Sequence, residues 1–216
     1  MNNELLKRII SSVILIPLAF FFIIKGSYLF YLILLSIFII SSFEWHSMTK
    51  NQSYYIYGYF FLIISLYCIY KLRINADNNF WPFLIVTIVC ILTDIGGFLF
   101  GKTFKGPKLI KYSPNKTYSG LIGSFLLSFC IIPFVIHFEP NNDIRIFNIL
   151  IFVFLVSTAS QFGDIVISYF KRISNIKDTG KIIPGHGGLL DRIDGMLFAF
   201  PMAYILQLTS LFNKIL

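Results

Sequence analysis

Residues Phe80 to Gly101 decide the fold class of this chain, and they read FWPFLIVTIVCILTDIGGFLFG. Only one residue in this stretch, Asp94, is charged. An α-helix needs about 20 predominantly apolar residues to cross the hydrocarbon core of a bilayer. The stretch therefore predicts a transmembrane helix that carries a single carboxylate.

The composition of the whole chain extends this prediction to the rest of the protein. Of its 216 residues, 56% are hydrophobic and only 13% are charged, whereas soluble domains carry about 25% charged residues. So few charges cannot cover a surface that faces water. The composition therefore excludes a cytosolic globular enzyme, a nucleic-acid-binding domain and a secreted disulfide scaffold.

Further apolar stretches lie on both sides of this one. They are Ile9–Ile24, Ser27–Phe43, Tyr54–Tyr70, Tyr118–Phe138, Ile146–Phe170 and Leu189–Phe212. We therefore predict an all-α, polytopic integral membrane protein with about seven transmembrane helices. The segments between the stretches are too short for a soluble domain, so residues 1–216 are expected to form a single membrane domain.

The positive charges predict the orientation of these helices. With the N-terminus in the cytoplasm and seven alternating helices, twelve Lys and Arg residues fall in the inside segments and five in the outside segments. Cytoplasmic loops of membrane proteins carry such an excess. We therefore predict a cytoplasmic N-terminus, and we attribute the formal net charge of +8 to these loops and to anionic headgroups rather than to nucleic acid.

Four acids lie within the apolar stretches, namely Asp94, Asp164, Asp191 and Asp194. A carboxylate at the bilayer centre costs about 2.5–3.5 kcal/mol on insertion scales. All four are expected near the cytoplasmic ends of their helices, and the i, i+3 spacing of Asp191 and Asp194 puts these two on one helix face. One account has each acid paired with a nearby Lys or Arg to anchor a helix end. The favoured account is a shared polar cavity.

The kinds of side chain near these acids indicate what such a cavity binds. Carboxylates without a cluster of His or Cys suit Mg²⁺, which binds substrate phosphates as well. Lys-rich loops adjoin the acids, which favours a site for phosphate esters. In the first loop Pro114 is expected to fix a turn and Thr117 to cap the next helix. In the second, glycines around His186 would let backbone amides approach a ligand, although His186 also fits a simple turn or cap.

The C-terminal part of the chain contains a closely spaced series of polar residues and glycines, namely Ser168, Lys171-Arg172, Lys177-Asp178, Pro184-Gly185-His186-Gly187-Gly188 and Asp191-Arg192-Ile193-Asp194. Upstream lie Thr93-Asp94, a Ser-Pro-x-Lys-Thr loop from Ser113 to Thr117, and Gly163-Asp164. These four segments resemble the CDP-diacylglycerol synthase family, also called phosphatidate cytidylyltransferase, and the C-terminal segment keeps the spacing of the family's polar pattern without a break. The chain departs from the family in having Ile167 where an acid commonly precedes the serine and Ser119 in place of a usual acid.

The resemblance implies the reaction of CTP with phosphatidate to give CDP-diacylglycerol and diphosphate, a step of phospholipid biosynthesis. It places the catalytic part in residues 80–216 and leaves residues 1–79 as generic N-terminal helices. It makes Asp164 and Asp191 the expected ligands of Mg²⁺, with Asp194 and Asp94 in or next to the ligand set. The remaining expected site residues are Lys171, Lys177 and Asp178 for catalysis, and Ser113, Lys116, Thr117, Ser168, Arg172, His186, Gly187, Gly188 and Arg192 for substrate binding.

The expected partners are CTP, phosphatidate and the lipid bilayer, with no nucleic acid, and a homodimer is left open. The expected location is a bacterial inner membrane, with the active site facing the cytoplasm. Three alternatives stay open at this point. They are a CTP-dependent polyprenol kinase, a CDP-alcohol phosphotransferase, whose usual dense aspartate motif is absent here, and a cation transporter that uses the buried acids.

Overall fold

The structure is a computed structural model that describes residues 25, 27–50, 52–74, 80–110, 113–138, 145–183 and 187–209. Helices make up most of the described chain. They are α1 (Ser27–Thr49), α2 (Tyr55–Ile74), α3 (Trp81–Phe104), α4 (Tyr118–Phe129), α5 (Ile132–Phe138), α6 (Ile146–Ile173) and α7 (Leu190–Gln207). Two short strands, β1 (Lys108–Ile110) and β2 (Ser113–Thr117), pair antiparallel between α3 and α4.

Five segments of the described chain are long and apolar enough to cross a membrane. They are Tyr28–Thr49, Tyr55–Ile74, Trp81–Phe104, Tyr118–Phe138 and Ile146–Ile173. The first predicted stretch, Ile9–Ile24, lies outside the described residues. Helix α7 is not among the five, and its first turns contain Asp191, Arg192 and Asp194. The structure thus confirms a mainly helical chain with several candidate spans, whereas the count of about seven is not confirmed.

Local sequence explains where several helices begin and end. Pro82 occupies the first turn of α3, where its missing N–H would have no helical partner. Helix α3 ends before Lys105 and Gly106, which both have positive φ. Pro133 lacks the N–H that would bond to the Phe129 carbonyl, which explains why one predicted stretch is divided into α4 and α5.

The predicted all-α fold holds for most of the described chain, but the loop between α3 and α4 contains two short strands. Pro114, which was predicted to fix a turn, lies within strand β2. Lys108 pairs with Thr117 and Ile110 pairs with Ser113. The connection between the strands falls at residues 111–112, which lie outside the described residues. A proline is compatible with a strand in a two-stranded ribbon because such a strand has an edge where no donor is needed.

The described residues form two compact units. The first comprises the described residues up to Leu66 together with Phe170–Ile193. The Trp45 ring lies against Gly58, where a Cβ would meet its ring atoms, and contacts the Phe170 ring edge-on. The Trp45 indole N–H donates to the Tyr55 carbonyl at 2.7 Å. These contacts pack α1, α2 and the end of α6 together.

The second unit comprises Tyr67–Tyr169 and the described residues from Asp194 onward. Helices α3 and α4 pack closely here, because a Cβ on Gly96 would lie 2.3 Å from the Gly123 carbonyl oxygen. The Thr93 hydroxyl donates to the Ser157 hydroxyl at 2.8 Å and connects α3 to α6. Phe152 and Phe200 are fully buried in this unit. Packing and this hydrogen bond thus connect the acid-bearing helices α3 and α6 within the unit.

Candidate active site

The second unit contains an ion pair between Lys116 on β2 and Asp164 on α6. The Lys116 Nζ lies 2.5 Å from the Asp164 Oδ2. Ser168, one turn further along α6, donates its hydroxyl to Asp164 Oδ1 at 3.3 Å. The Asp164 side chain is 37% exposed. The structure thus brings together three predicted site residues, and it leaves part of the Asp164 carboxylate open to a ligand.

The start of α4 fixes the strand that carries Lys116. Thr117 is the N-cap of α4, and its side-chain oxygen accepts the Gly120 N–H at 3.1 Å. This contact confirms the predicted cap. Because Lys116 is the preceding residue, the cap holds the backbone of the lysine at a defined place beside the helix end.

Small residues bring α6 and α7 into backbone contact next to Asp164. A Cβ on Gly163 would lie 2.6 Å from the Asp194 carbonyl oxygen, and one on Gly195 would lie 2.5 Å from Ser160 Oγ. The Asp194 side chain is buried, and its Oδ1 accepts the Gly195 N–H at 2.8 Å. The Gly163-Asp164 pair of the sequence pattern therefore combines a close-packing residue with an adjacent carboxylate.

The first unit contains a second ion pair, between Lys171 at the end of α6 and Asp191 in the first turn of α7. The Lys171 Nζ donates to Asp191 Oδ1 at 2.7 Å. The other carboxylate oxygen accepts the Thr179 N–H at 2.8 Å, the Thr179 hydroxyl at 3.0 Å and the Gly188 N–H at 3.1 Å. The Asp191 side chain is only 6% exposed. Asp191 therefore organises the loop between α6 and α7 from inside it.

These partners also set the acidity of Asp191, which lies outside the five candidate spans. Burial alone would raise the pKa of its carboxyl group, because it disfavours the charged form. The hydrogen bonds from Lys171, Thr179 and Gly188, together with the positive charge of Lys171, outweigh burial and lower the pKa below its ordinary value. Asp191 is therefore held as a carboxylate.

Two functional candidates in this unit were missed by sequence reasoning. Glu44 on α1 is almost fully buried and accepts the N–H groups of Leu189 and Leu190 at 2.9 and 2.8 Å. The Thr179 hydroxyl lies 3.0 Å from both Glu44 Oε2 and Asp191 Oδ2, so its single proton is shared between the two carboxylates. The signal for Glu44 was present, because it directly follows the apolar stretch drawn to Phe43, and the helix continues past it to Thr49.

The glycines before α7, which are predicted to bind substrate, lie in the loop that surrounds Asp191. Gly188 donates its N–H to Asp191, and a Cβ there would lie 2.1 Å from Thr179 Oγ1. Gly187 has a φ of +89°, and a Cβ there would lie 3.2 Å from Asp191 Oδ2 and 3.3 Å from Asp178 Cβ. These glycines let the loop close around Thr179 and the acids, so at least the Gly188 N–H already has a partner within the protein.

The remaining predicted site residues lie on the same elements. Ser113 is the first residue of β2, and Asp94 is exposed on α3. His186 lies outside the described residues. The other predicted cations and acid of the C-terminal pattern have exposed side chains on α6, α7 and the loop between them, and they are Arg172, Lys177, Asp178 and Arg192.

Where the chain is described, no three side chains of His, Cys, Asp or Glu group in a way that could hold a metal ion. Asp164 and Asp191 are each paired with a lysine, which is the arrangement of the alternative account given above. The shared cavity and the Mg²⁺ ligand set therefore stay predictions. The donor chemistry fits Mg²⁺ nonetheless, because this ion is commonly bound through one or two carboxylates with substrate phosphates and water as its other ligands.

The similarity of this chain to known proteins indicates its family. Residues 54–210 match the model of the cytidylyltransferase family. The chain is 36% identical to the phosphatidate cytidylyltransferase of Rickettsia felis, over 96% of this chain and 94% of that protein. It is 37% identical to the protein of the same name from Rickettsia bellii, over 95% and 92%. A Staphylococcus haemolyticus protein, also called phosphatidate cytidylyltransferase, is 42% identical over 55% of this chain and 46% of its own length.

The family model spans residues 54–210, a range that contains both ion pairs, and the two Rickettsia proteins match over 95% or more of the chain. The chain therefore belongs to the cytidylyltransferase family, and it is a membrane nucleotidyltransferase by class.

Proposed function

We propose that this chain transfers the cytidylyl group of CTP to phosphatidate, giving CDP-diacylglycerol and diphosphate. The observation that carries the proposal is the similarity over nearly the whole chain to proteins named phosphatidate cytidylyltransferase. In this reaction an oxygen of the lipid phosphate attacks the α-phosphorus of CTP. The bond from the α-phosphorus to the bridging oxygen breaks, and diphosphate leaves with the bond electrons.

The reaction requires positioning rather than a protein nucleophile, since the lipid phosphate is itself the nucleophile. Two anionic substrates must be brought together, and the charge that develops on the leaving diphosphate must be neutralised. Lys116 and Lys171 are suited to this task, because each lies against a carboxylate that keeps its ammonium group in a fixed place. In the proposal, substrate phosphates replace these carboxylates as partners of the lysines.

We propose that Mg²⁺ is bound by Asp164, with Asp191, Asp194 and Asp94 as the other candidate ligands from the sequence pattern. When bound, this ion would neutralise phosphate charge in the substrates and in the leaving diphosphate. Asp164 is more exposed to solvent than the other lysine-paired acid, so it can exchange Lys116 for a new partner with less rearrangement of the protein. Asp191 would have to release donors from the loop that it organises.

The proposal also includes the topology inferred from the charges: seven helices, a cytoplasmic N-terminus and a site that opens to the cytoplasm of a bacterium. CTP is a cytosolic nucleotide and phosphatidate presents its phosphate at the headgroup plane, so a site at the inner boundary reaches both. A Lys177→Cys variant without the three native cysteines tests this, because Lys177 is exposed. We expect an impermeant thiol reagent to label the introduced cysteine in inverted vesicles and not in right-side-out vesicles.

The reaction is tested with purified protein, phosphatidate vesicles and CTP labelled at either the α- or the γ-phosphate. Cytidylyl transfer puts the α-label into the lipid and the γ-label into diphosphate, and we expect this result only when Mg²⁺ is present. Asp164→Ala and Asp191→Ala are expected to abolish it. Lipid that carries the γ-label would instead indicate a CTP-dependent lipid kinase and would contradict the proposal.

A further inference from the structure

Glu44 is a buried carboxylate that the reaction scheme above does not use. It lies on α1 with 1% of its surface exposed. Its Oε1 accepts the Leu189 N–H, and its Oε2 accepts both the Leu190 N–H and the Thr179 hydroxyl. These groups are at least 135 residues away in sequence. Glu44 therefore joins the first described helix to the loop that precedes α7.

Thr179 continues this link from Glu44 to the ion pair. Its hydroxyl lies 3.0 Å from Glu44 Oε2 and also 3.0 Å from Asp191 Oδ2, while its N–H donates to the same Asp191 oxygen. The other oxygen of Asp191 accepts from Lys171. A continuous set of contacts thus runs from Glu44 through Thr179 and Asp191 to Lys171, and all four residues belong to one unit.

The loop is shaped around the Glu44 side chain. A Cβ on Gly180 would lie 2.5 Å from Glu44 Oε1, and one on Gly188 would lie 2.7 Å from Oε2. The two N–H groups that Glu44 accepts are at the start of α7, where a helix has unpaired donors and a partial positive charge. The fit therefore depends on a carboxylate at this position and at this distance from the backbone of α1.

Stability alone does not account for a buried carboxylate at this place. Well-packed apolar side chains often serve stability as well as buried charges do, because burying a charge has a large desolvation cost. What the carboxylate adds is a defined geometry for the loop, since three donors from two segments must converge on it. The residues so fixed, Asp191 and Lys171, are the ones to which the reaction scheme assigns metal and phosphate.

We propose that Glu44 is a positioning residue for cytidylyl transfer, acting through Thr179 to place Asp191 beside Lys171 before the substrates bind. This inference rests on the proposed function. Glu44 does not itself contact a substrate in this proposal. Its effect reaches the reaction through the loop, and it should therefore be shared with Thr179.

The test compares kcat for CDP-diacylglycerol formation in purified variants with wild-type protein. Glu44→Gln keeps the shape but turns an amide NH₂ toward backbone donors, and Thr179→Val removes the hydroxyl while keeping the size. We expect each to lower kcat by about 10- to 100-fold, the usual range for groups that orient ligating side chains. Thr179→Ser, which restores the hydroxyl, should recover most of the loss, and the Glu44→Gln/Thr179→Val pair should be no slower than the slower single variant.

Ser41→Ala is the matched control. Ser41 is fully buried on α1 one turn before Glu44, and within the described chain its hydroxyl has no hydrogen-bond partner. Removing it changes a buried polar group on the same helix without breaking a hydrogen bond to the loop, so kcat should stay at the wild-type value. Gel filtration and the thermal midpoint check that each variant is folded, and Thr179→Val with its serine rescue decides the question if Glu44→Gln fails to fold.

The proposal is overturned if folded Glu44→Gln or Thr179→Val has wild-type kcat, if serine fails to rescue, or if the two losses multiply in the double variant. Multiplying losses would mean that Glu44 and Thr179 act independently. A failure of the proposed function is distinguishable, because wild type and Ser41→Ala would then both fail to form CDP-diacylglycerol, which removes the reaction that Glu44 is proposed to serve.

Discussion

The two lysine–aspartate pairs have the same chemical partners but different surroundings. Asp164 is 37% exposed and has Lys116 and a long hydrogen bond from Ser168. Asp191 is 6% exposed and accepts four hydrogen bonds from Lys171, Thr179 and Gly188. Asp164 is therefore available to a new partner, whereas Asp191 is built into a loop. Both are expected to be essential, but for separable reasons.

The largest expected effect on activity is that of Asp164→Asn. This change removes a charge from the open site, and we expect kcat for cytidylyl transfer to fall by at least about 100-fold, as when a charge-stabilising group is removed from an active site. The thermal midpoint should change little, because a partly exposed ion pair contributes about 1 kcal/mol or less. A large loss of stability in Asp164→Asn would contradict the description of Asp164 as an open carboxylate that contributes little to the fold.

The next prediction concerns Asp191→Asn, for which Asp164→Asn is the matched control. Activity should be lost here as well, but the buried pair with Lys171 would be broken, which costs about 3 kcal/mol or more. The thermal midpoint in detergent, followed by tryptophan fluorescence, should therefore drop clearly below that of Asp164→Asn. Equal midpoints for the two variants would mean that Asp191 does not organise its loop.

The pH dependence of stability is a further test of the stabilising role of Asp191. The pKa of Asp191 is lowered in the folded protein from an ordinary value of 3.8. A lowered pKa contributes stability that is fully present above the unfolded value and is lost as the pH falls through the folded one. The difference in thermal midpoint between wild type and Asp191→Asn should therefore shrink as the pH is lowered from about 6 to about 3. A difference that stays constant over this range would contradict the assignment.

The smallest effect is expected at the cap behind Lys116. Thr117→Ala removes the oxygen that accepts the Gly120 N–H and should cost about 1 kcal/mol. Thr117→Ser keeps the oxygen and is the matched control. Chemical unfolding of the two variants measures the difference, and equal stability would show that the cap does not hold this end of α4.

Local patterns predicted much of this molecule. The helices over the apolar stretches and the cap at Thr117 follow from rules that act within one turn or one stretch. The division at Pro133 was missed, although a proline inside an apolar run was its signal. The strand over Ser113–Thr117 could not be separated from a turn, because proline, asparagine and serine are also typical of turns.

The partners of the acids could not be predicted, because they depend on tertiary packing. Nothing local to Asp164 specifies Lys116 as its partner, and nothing local to Glu44 specifies Thr179. Glu44 was also missed because the predicted apolar stretch ended one residue before it. The family pattern pointed to Asp191 and Lys171, but the loop that joins them only emerges from the fold.

The most direct test of the account is the fate of the phosphates of CTP in the presence of phosphatidate and Mg²⁺. The account predicts that the α-phosphate enters the lipid and that one diphosphate is released for each lipid formed, in wild-type protein but not in Asp164→Asn. Entry of the γ-phosphate into lipid, or undiminished transfer by Asp164→Asn, would contradict it.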